Sequence, residues 1–155
     1  MKSVQIQKKD GVTYSHVPEI GGTILVPLFY KHLAELMEAG HCTFQTFNRV
    51  TDTSQGIIAE IDNKIVGFGI FDHKKGEEEL FDVFIYVDPD YRQRGIFVQL
   101  QNGLLTYAKN NKVDYINSFI SIKNEVSIKA HRKMGYDLFI SEYLPEFYQY
   151  IHSTY

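Results

Sequence analysis

The stretch Glu79 to Val87, ELFDVFIYV, constrains this chain more than any other. It is nearly continuous in apolar, β-favouring side chains, as a strand covered on both faces must be. Pro89 follows and cannot donate to a ladder, so the strand stops there. Gly95 then punctuates the chain. Beyond it Phe97, Leu100, Leu104 and Ala108 recur at i, i+3, i+7 and i+11, the stripe of a helix lying on a sheet. A buried strand that turns through a glycine into such a helix requires a sheet with helices packed on it, an α/β (α+β) architecture.

The flanking sequence fills in that architecture. GIIAEI and KIVGFGIF flank Asp62-Asn63, which predicts a hairpin with a tight turn. Tyr115 to Ile122 reads as a further strand. Asn124 to Met134 reads as a short helix, with Asn124 as its N-cap, Val126, Ala130 and Met134 on one face, and Gly135 as its left-handed terminator. Upstream, Thr23 to Gly40 reads as a helix, with Pro27 in its first turn and Leu28, Phe29, Leu33, Leu36 and Met37 at helical spacing. Two β-like runs, DLFISEYL and EFYQYIHSTY, finish the chain. The predicted order is α, β, β, β, α, β, α, β, β, a mixed sheet. No repeat or Ser/Gly/Pro-rich tract divides it, and 155 residues that are 44% apolar supply one core, so residues 1–155 read as a single domain.

Charge narrows the function. From Tyr91 to Lys133 the cations Arg92, Arg94, Lys109, Lys112, Lys123, Lys129, Arg132 and Lys133 oppose only Asp114 and Glu125, leaving that segment at +6 and the remainder at −9 within a total of −3. A general nucleic-acid binder has a basic face that outweighs its acidic remainder, so this pattern argues for one local anionic ligand instead. The sequence has no h-region near its start and no run of 18 apolar residues, which points to a soluble cytoplasmic protein with no membrane partner. The lone Cys42 reads as a packing residue. The six histidines show no HxxxH, HExxH or CxxC-type spacing, so no metal is expected.

A strand that ends, turns through glycine and feeds a helix aims several backbone N–H groups at one point, where the helix dipole favours phosphate. Arg92 and Arg94 strengthen that point. No GxxxxGK loop is present, and Gly67-Phe68-Gly69 lacks the third glycine and the following helix of a dinucleotide fingerprint.

VDPDYRQRGIFVQL, followed downstream by NEVSIKAHRKMGY, resembles the GNAT superfamily of acyl-CoA-dependent N-acetyltransferases. The family's loop, V-x-P-x-x-R-x-x-G-x-G/A-x-x-L, is matched by Val87, Pro89, Arg92, Gly95 and Leu100. Its later pattern, N-x-x-A/S-x-x-x-Y/H-x-K-x-G-F/Y, is matched by Asn124, Ser127, His131, Lys133, Gly135 and Tyr136. Phe97 departs from it, standing where the family has Gly or Ala. Its ring must point inward, as the helical stripe predicts.

The resemblance implies a mostly antiparallel sheet splayed at the cofactor strand, helices on both faces, and acetyl-CoA as co-substrate. It assigns the pyrophosphate to the backbone of Gln93, Arg94, Gly95, Ile96, Phe97 and Val98, with Arg92 assisting. It assigns the pantetheine arm to the exposed backbone of Ile85 and Val87 beside a β-bulge. The Ile85 N–H is implied to face the thioester carbonyl and stabilise its developing charge. Asn124, Ser127 and His131 are implied cofactor contacts, though capping alone also explains Asn124.

Attack needs a neutral amine, so a base must take a proton. The position the family often uses, six before Val87, is Phe81. Period-two alternation puts Glu79 on the same face and Asp82 on the other, making Glu79 the first candidate base. His131 stands where the family commonly has an acid for the leaving thiolate, with packing or a cofactor contact as its other readings.

The acidic remainder, including Glu35, Glu38, Glu142 and Glu146, points to a cationic amine acceptor, either a small molecule or a peptide. The C-terminal aromatics Tyr143, Phe147, Tyr148, Tyr150 and Tyr155 read as core packing, or as a pocket wall or homodimer contact. Two rival functions stand beside the transferase: a non-catalytic acyl-CoA-binding or regulatory domain of the same fold, and a nucleic-acid-modifying transferase, which the acidic remainder disfavours.

Overall fold

A computed structural model describes residues 3–19, 34–35, 37–38, 54–140 and 147–154 of the chain. It opens with a hairpin that the sequence reading passes over, β1 (Val4–Lys9) and β2 (Val12–Val17). The turn between them is Asp10-Gly11, both left-handed at φ 51° and 79°. That pair is the strongest short-range hairpin signal there is. The strands escape a pattern search because β1 is polar and mostly exposed.

The next pair matches expectation. β3 (Gln55–Ile61) and β4 (Lys64–Asp72) are antiparallel around Asp62-Asn63, with φ of 49° and 63°. β5 (Glu79–Val87) then leads through a 3₁₀ turn at Pro89–Tyr91 into helix α1 (Ile96–Asn110). β6 (Tyr115–Ser121), α2 (Glu125–Lys133), β7 (Asp137–Ile140) and β8 (Phe147–Ser153) complete it.

The strands form one eight-stranded sheet in the order β1-β2-β3-β4-β5-β6-β8-β7. Among the described strands only β5 and β6 run parallel, because α1 carries the chain back between them. The result is the mixed, mostly antiparallel sheet that the sequence predicts. β8 lies between β6 and β7, so only one of the two C-terminal runs is an edge.

Helix α1 lies on one face of the sheet. Its Ile96, Leu100, Leu104 and Ala108 are buried in one cluster with Val12, Tyr14, Ile57, Ala59 and Val66. Two glycines let it approach closely. A Cβ on Gly103 would sit 2.9 Å from Ile57 Cγ2, and one on Gly67 would meet Ile96 and Leu100 at 3.3 and 3.4 Å. The opposite face is also buried, at Ile58, Phe68, Ile70 and Tyr86. Residues 34–35 and 37–38 are helical, and the Glu35 carboxylate helps raise the Tyr86 phenol, which puts that helix within electrostatic reach of this second face.

The other residues of Thr23–Gly40, with Cys42, Glu142, Glu146, Tyr143 and Tyr155, lie outside the described residues. The late helix differs from expectation in its buried side. Ile128 and His131 are buried and Val126 is 79% exposed, because a polar network around His131 fixes how α2 rolls against α1.

Candidate functional site

The site is built where β5 leaves β6. β5 pairs with β4 along its length, but with β6 only from Glu79↔Tyr115 to Asp82↔Ser118. Beyond Asp82, among the described residues, no ladder pair joins the two strands, so the sheet splays there. The register against β4 also slips. Phe84 lies opposite Ile70 and Asp82 opposite Phe71, which makes Val83 the extra residue of a β-bulge.

The phase of the ladder decides which backbone groups face the gap. Asp88 N–H donates to Val66 C=O at 2.9 Å, so Asp88, and by alternation Tyr86, turns its polar groups toward β4. Ile85 and Val87 therefore turn theirs toward β6, where the sheet is open. One of these groups is engaged, since Arg92 Nε donates to Val87 C=O at 3.1 Å.

The loop after β5 is held by short-range bonds. Asp88 Oδ1 accepts from Asp90 N–H at 3.0 Å, and Tyr91 N–H donates to Asp88 C=O at 2.9 Å. Gln93 and Gly95 are both left-handed, at φ 60° and 75°. The first N–H of α1 to find a backbone acceptor is that of Gln99, bonded to Gly95 C=O at 3.2 Å. Among the described residues, the N–H groups from Gln93 to Val98 have no backbone acceptor, as the first turn of a helix requires. They converge with the positive end of the α1 dipole beside the exposed Arg92 and Arg94. Nothing lies within 4 Å of a Cβ built on Gly95, so the backbone there is open to an anion.

His131 is buried, with a hydrogen-bond partner at each ring nitrogen. Its Nδ1–H donates to the Ser127 carbonyl at 2.8 Å, with the Ser127 hydroxyl at 3.3 Å, and its Nε2 accepts from the Gln101 side-chain amide at 3.0 Å. The Gln101 oxygen in turn accepts from the Tyr136 hydroxyl at 3.3 Å. That pattern assigns His131 the neutral Nδ1–H tautomer, and its Nε2 lone pair is already used. Phe97 sets its half-buried ring against His131 at 5.8 Å, edge to face. The Phe97 N–H stays in the run of amides without backbone acceptors.

Asn124 caps α2, accepting from Ser127 N–H at 3.1 Å. Ser127 is thereby engaged through both its N–H and its carbonyl. Ile96 is a core residue and Val98 is 40% exposed, so both can contribute only through their backbone amides.

Glu79 shares a face with Phe81, as alternation predicts, but that is not the face that Ile85 presents. Leu80, Ile85 and Val87 all join the core on the α1 side, although Leu80 and Ile85 differ in parity. The bulge at Val83 accounts for this, and it leaves Glu79 and Phe81 on the opposite face from Ile85. Glu79 Oε1 accepts a hydrogen bond from Asn117 Nδ2. At about 3.3 Å per residue it also lies roughly 20 Å along β5 from Ile85. The structure does not bring it to the proposed thioester position.

Sequence reasoning missed Gln101, Tyr91 and Lys64. Gln101 was signalled by its place beside Leu100 and Leu104 on the buried stripe, where a polar side chain must be hydrogen-bonded. Tyr91 packs against the core, and its ring carries both the Lys64 ammonium at 5.1 Å and the Arg94 guanidinium at 5.2 Å. Their approach depends on the β3–β4 turn meeting the loop after β5, a tertiary contact. The Tyr86 phenol is pushed up to about 12, chiefly by burial and then by Asp88, while Arg92 opposes the shift.

The sequence profile of the Acetyltransferase (GNAT) family matches residues 24–136. An uncharacterised N-acetyltransferase from Methanocaldococcus jannaschii is 29% identical over 87 residues, covering 52% of this chain and 38% of that protein. The alignment thus spans well under half of the relative's length. Among solved structures, a GNAT family acetyltransferase from Elizabethkingia anophelis with acetyl-CoA bound superposes with a TM-score of 0.70 at 16% identity, covering 94% of this chain and 99% of that one. An N-acetyltransferase from Staphylococcus aureus Mu50 superposes with a TM-score of 0.55 at 22% identity, covering 72% and 73%. At these identities the two structures speak for the fold.

Proposed function

Because this chain belongs to the acetyltransferase (GNAT) family, we propose that it transfers an acetyl group from acetyl-CoA to a primary amine by direct attack on the thioester. The observation that carries this reading is the meeting, at one end of β5, of an opened sheet edge and a run of amides without backbone acceptors.

Acetyl-CoA supplies the activated acyl group. On this reading the amides from Gln93 to Val98, assisted by Arg92, take the pyrophosphate. The backbone of Ile85 and Val87 on the open side of β5 takes the pantetheine arm as an added strand would. Ile85 N–H then donates to the carbonyl oxygen as negative charge grows there. The amine nitrogen bonds to the acyl carbon, the carbon–sulfur bond breaks, the amine loses a proton and the sulfur gains one. Glu79 is tied to Asn117 and His131 Nε2 accepts from Gln101, so these proton transfers run through water rather than through either side chain.

The acceptor is a cationic amine. Glu35, close enough to Tyr86 to raise its phenol, is one acid on the sheet face away from α1. The −9 carried outside the Tyr91–Lys133 segment supports the same choice.

Incubation with acetyl-CoA and a panel of amines, following thiol release, tests the reading. Turnover of cationic amines is the expected result, and turnover confined to neutral or acidic amines removes the cationic acceptor. The engagement of Glu79 and His131 favours one second reading, a domain that binds acyl-CoA without transferring it. Tight binding with no thiol release across the panel selects that reading.

A further inference from the structure

Tyr91 holds two cations against one ring, Lys64 Nζ at 5.1 Å and Arg94 Cζ at 5.2 Å from its centroid. Both come from constrained backbone. Lys64 opens β4 immediately after the Asp62-Asn63 turn, and Arg94 lies between the left-handed Gln93 and Gly95. Tyr91 itself packs against the core and is fixed through its N–H to Asp88.

The two charges can be no farther apart than roughly 10 Å, about one Debye length at 0.1 M salt, so their repulsion is only partly screened and an anion between them would relieve it. Among the described residues neither has a carboxylate at ion-pair distance. A structural ion pair is thus not what gathers them here. Cation–π contacts at an exposed site are weak, and they orient side chains without neutralising them.

We propose that Lys64 and Arg94, oriented by Tyr91, form a seat for the 3′-phosphate of coenzyme A and give this protein a preference for coenzyme A over 3′-dephospho-coenzyme A. The inference rests on the acetyl-CoA reading above. It concerns a different phosphate from the one assigned to the amides from Gln93 to Val98. The 3′-phosphate is a monoester with up to two negative charges, and it matches two cations that approach from separate elements. Arg92 is not part of this seat, since the cations on the Tyr91 ring are Lys64 and Arg94, while its own Nε donates to Val87 C=O.

Calorimetric titration of the protein with coenzyme A and with 3′-dephospho-coenzyme A tests this without any turnover, because both ligands keep the pyrophosphate and pantetheine. The wild type is expected to bind coenzyme A about tenfold more tightly at 0.1 M salt, with the difference shrinking as salt rises. In Lys64→Gln and in Lys64→Gln/Arg94→Gln that preference falls, reaching about twofold or less in the double variant. Equal binding of the two ligands by the wild type overturns the seat and leaves the acetyl-CoA reading standing. A tenfold preference that survives in the double variant also overturns it. Failure of the wild type to bind either ligand overturns the acetyl-CoA reading and the seat with it.

Discussion

Gln101 on α1 donates its side-chain amide to Nε2 of His131 on α2 across 3.0 Å, and its oxygen accepts the Tyr136 hydroxyl at 3.3 Å. All three side chains are buried, so this network, with apolar contacts around it, sets how the two helices meet. Gln101→Leu removes the donor to His131 and the acceptor for Tyr136 together. It is expected to lower unfolding free energy by about 2–3 kcal/mol in urea titration. A loss below about 0.5 kcal/mol would show that the network is not what holds α2.

The same geometry separates two roles for His131. General acid catalysis contributes about 10²–10⁴-fold, so loss of an acid would be plain in turnover. An imidazole whose Nε2 already accepts from Gln101 is a positioning group. His131→Gln is therefore expected to lower the melting midpoint while kcat for thiol release stays within about threefold of wild type. A hundredfold fall in kcat in a folded variant would restore the acid role.

Gly95 combines two requirements that substitutions can part. Its φ of 75° penalises a side chain by roughly 1–2 kcal/mol, least for Asn, while no atom lies within 4 Å of a Cβ placed there. Gly95→Asn meets the backbone requirement and adds no charge, so its affinity for coenzyme A should stay within about tenfold of wild type. Gly95→Glu puts a carboxylate at the anion site and should lose at least about a hundredfold in affinity, with an unchanged far-ultraviolet spectrum. Equal affinity of the two variants would remove this loop as the anion site.

Much of this arrangement was legible in the sequence, and the gaps have physical causes. β5 was readable because a strand covered on both faces is apolar throughout, and α1 because Leu100, Leu104 and Ala108 keep helical period. The β1–β2 hairpin was hidden by polar residues, since one strand of the pair is an exposed edge, and only Asp10-Gly11 marked it. Glu79 and Phe81 share a face as alternation predicts, but a bulge at Val83 turns Ile85 to the other one, and no residue type in FDVFI announces a bulge. His131 was readable by position and Asn124 as a cap. The Gln101 bond that decides the chemistry of His131 joins residues 30 apart in sequence. Lys64 reaching Tyr91 is a tertiary juxtaposition of the same kind.

Gly103 is where α1 comes closest to the sheet. A methyl group there would lie 2.9 Å from Ile57 Cγ2, shorter than van der Waals contact, and Ile57 is itself fully buried. Gly103→Ala should thus cost about 1–3 kcal/mol by overpacking, despite the gain in helix propensity. Ile57→Ala deletes the obstructing atom and leaves a cavity. The double variant should be less destabilised than the two single losses combined, by about 1 kcal/mol or more in a double-mutant cycle. Strict additivity would mean that the helix shifts away instead.

Tyr86 gives the fold an alkaline limit. Burial comes first and the Asp88 charge second in pushing its phenol up to about 12, from an ordinary value of 10.0. The unfolded chain releases this proton near pH 10, while the folded chain keeps it until about pH 12. Deprotonation therefore favours unfolding as pH rises between those values. The stability that Tyr86 contributes is fully present below pH 10 and is lost toward pH 12, at up to about 1.4 kcal/mol per pH unit. Tyr14 and Tyr107, also raised by burial, add to the slope. Urea midpoints should be flat from this source between about pH 6 and 9 and fall above pH 10. Tyr86→Phe should flatten part of that fall whatever it does to stability at neutral pH. Arg92 acts on the same group in the opposite sense to Asp88, and Arg92→Gln removes that opposition. The arginine charge and its hydrogen bond both hold the phenol down, so their loss moves the Tyr86 titration to higher pH. An ultraviolet tyrosinate titration that places the Tyr86 transition near pH 10 in the folded protein would refute the assignment.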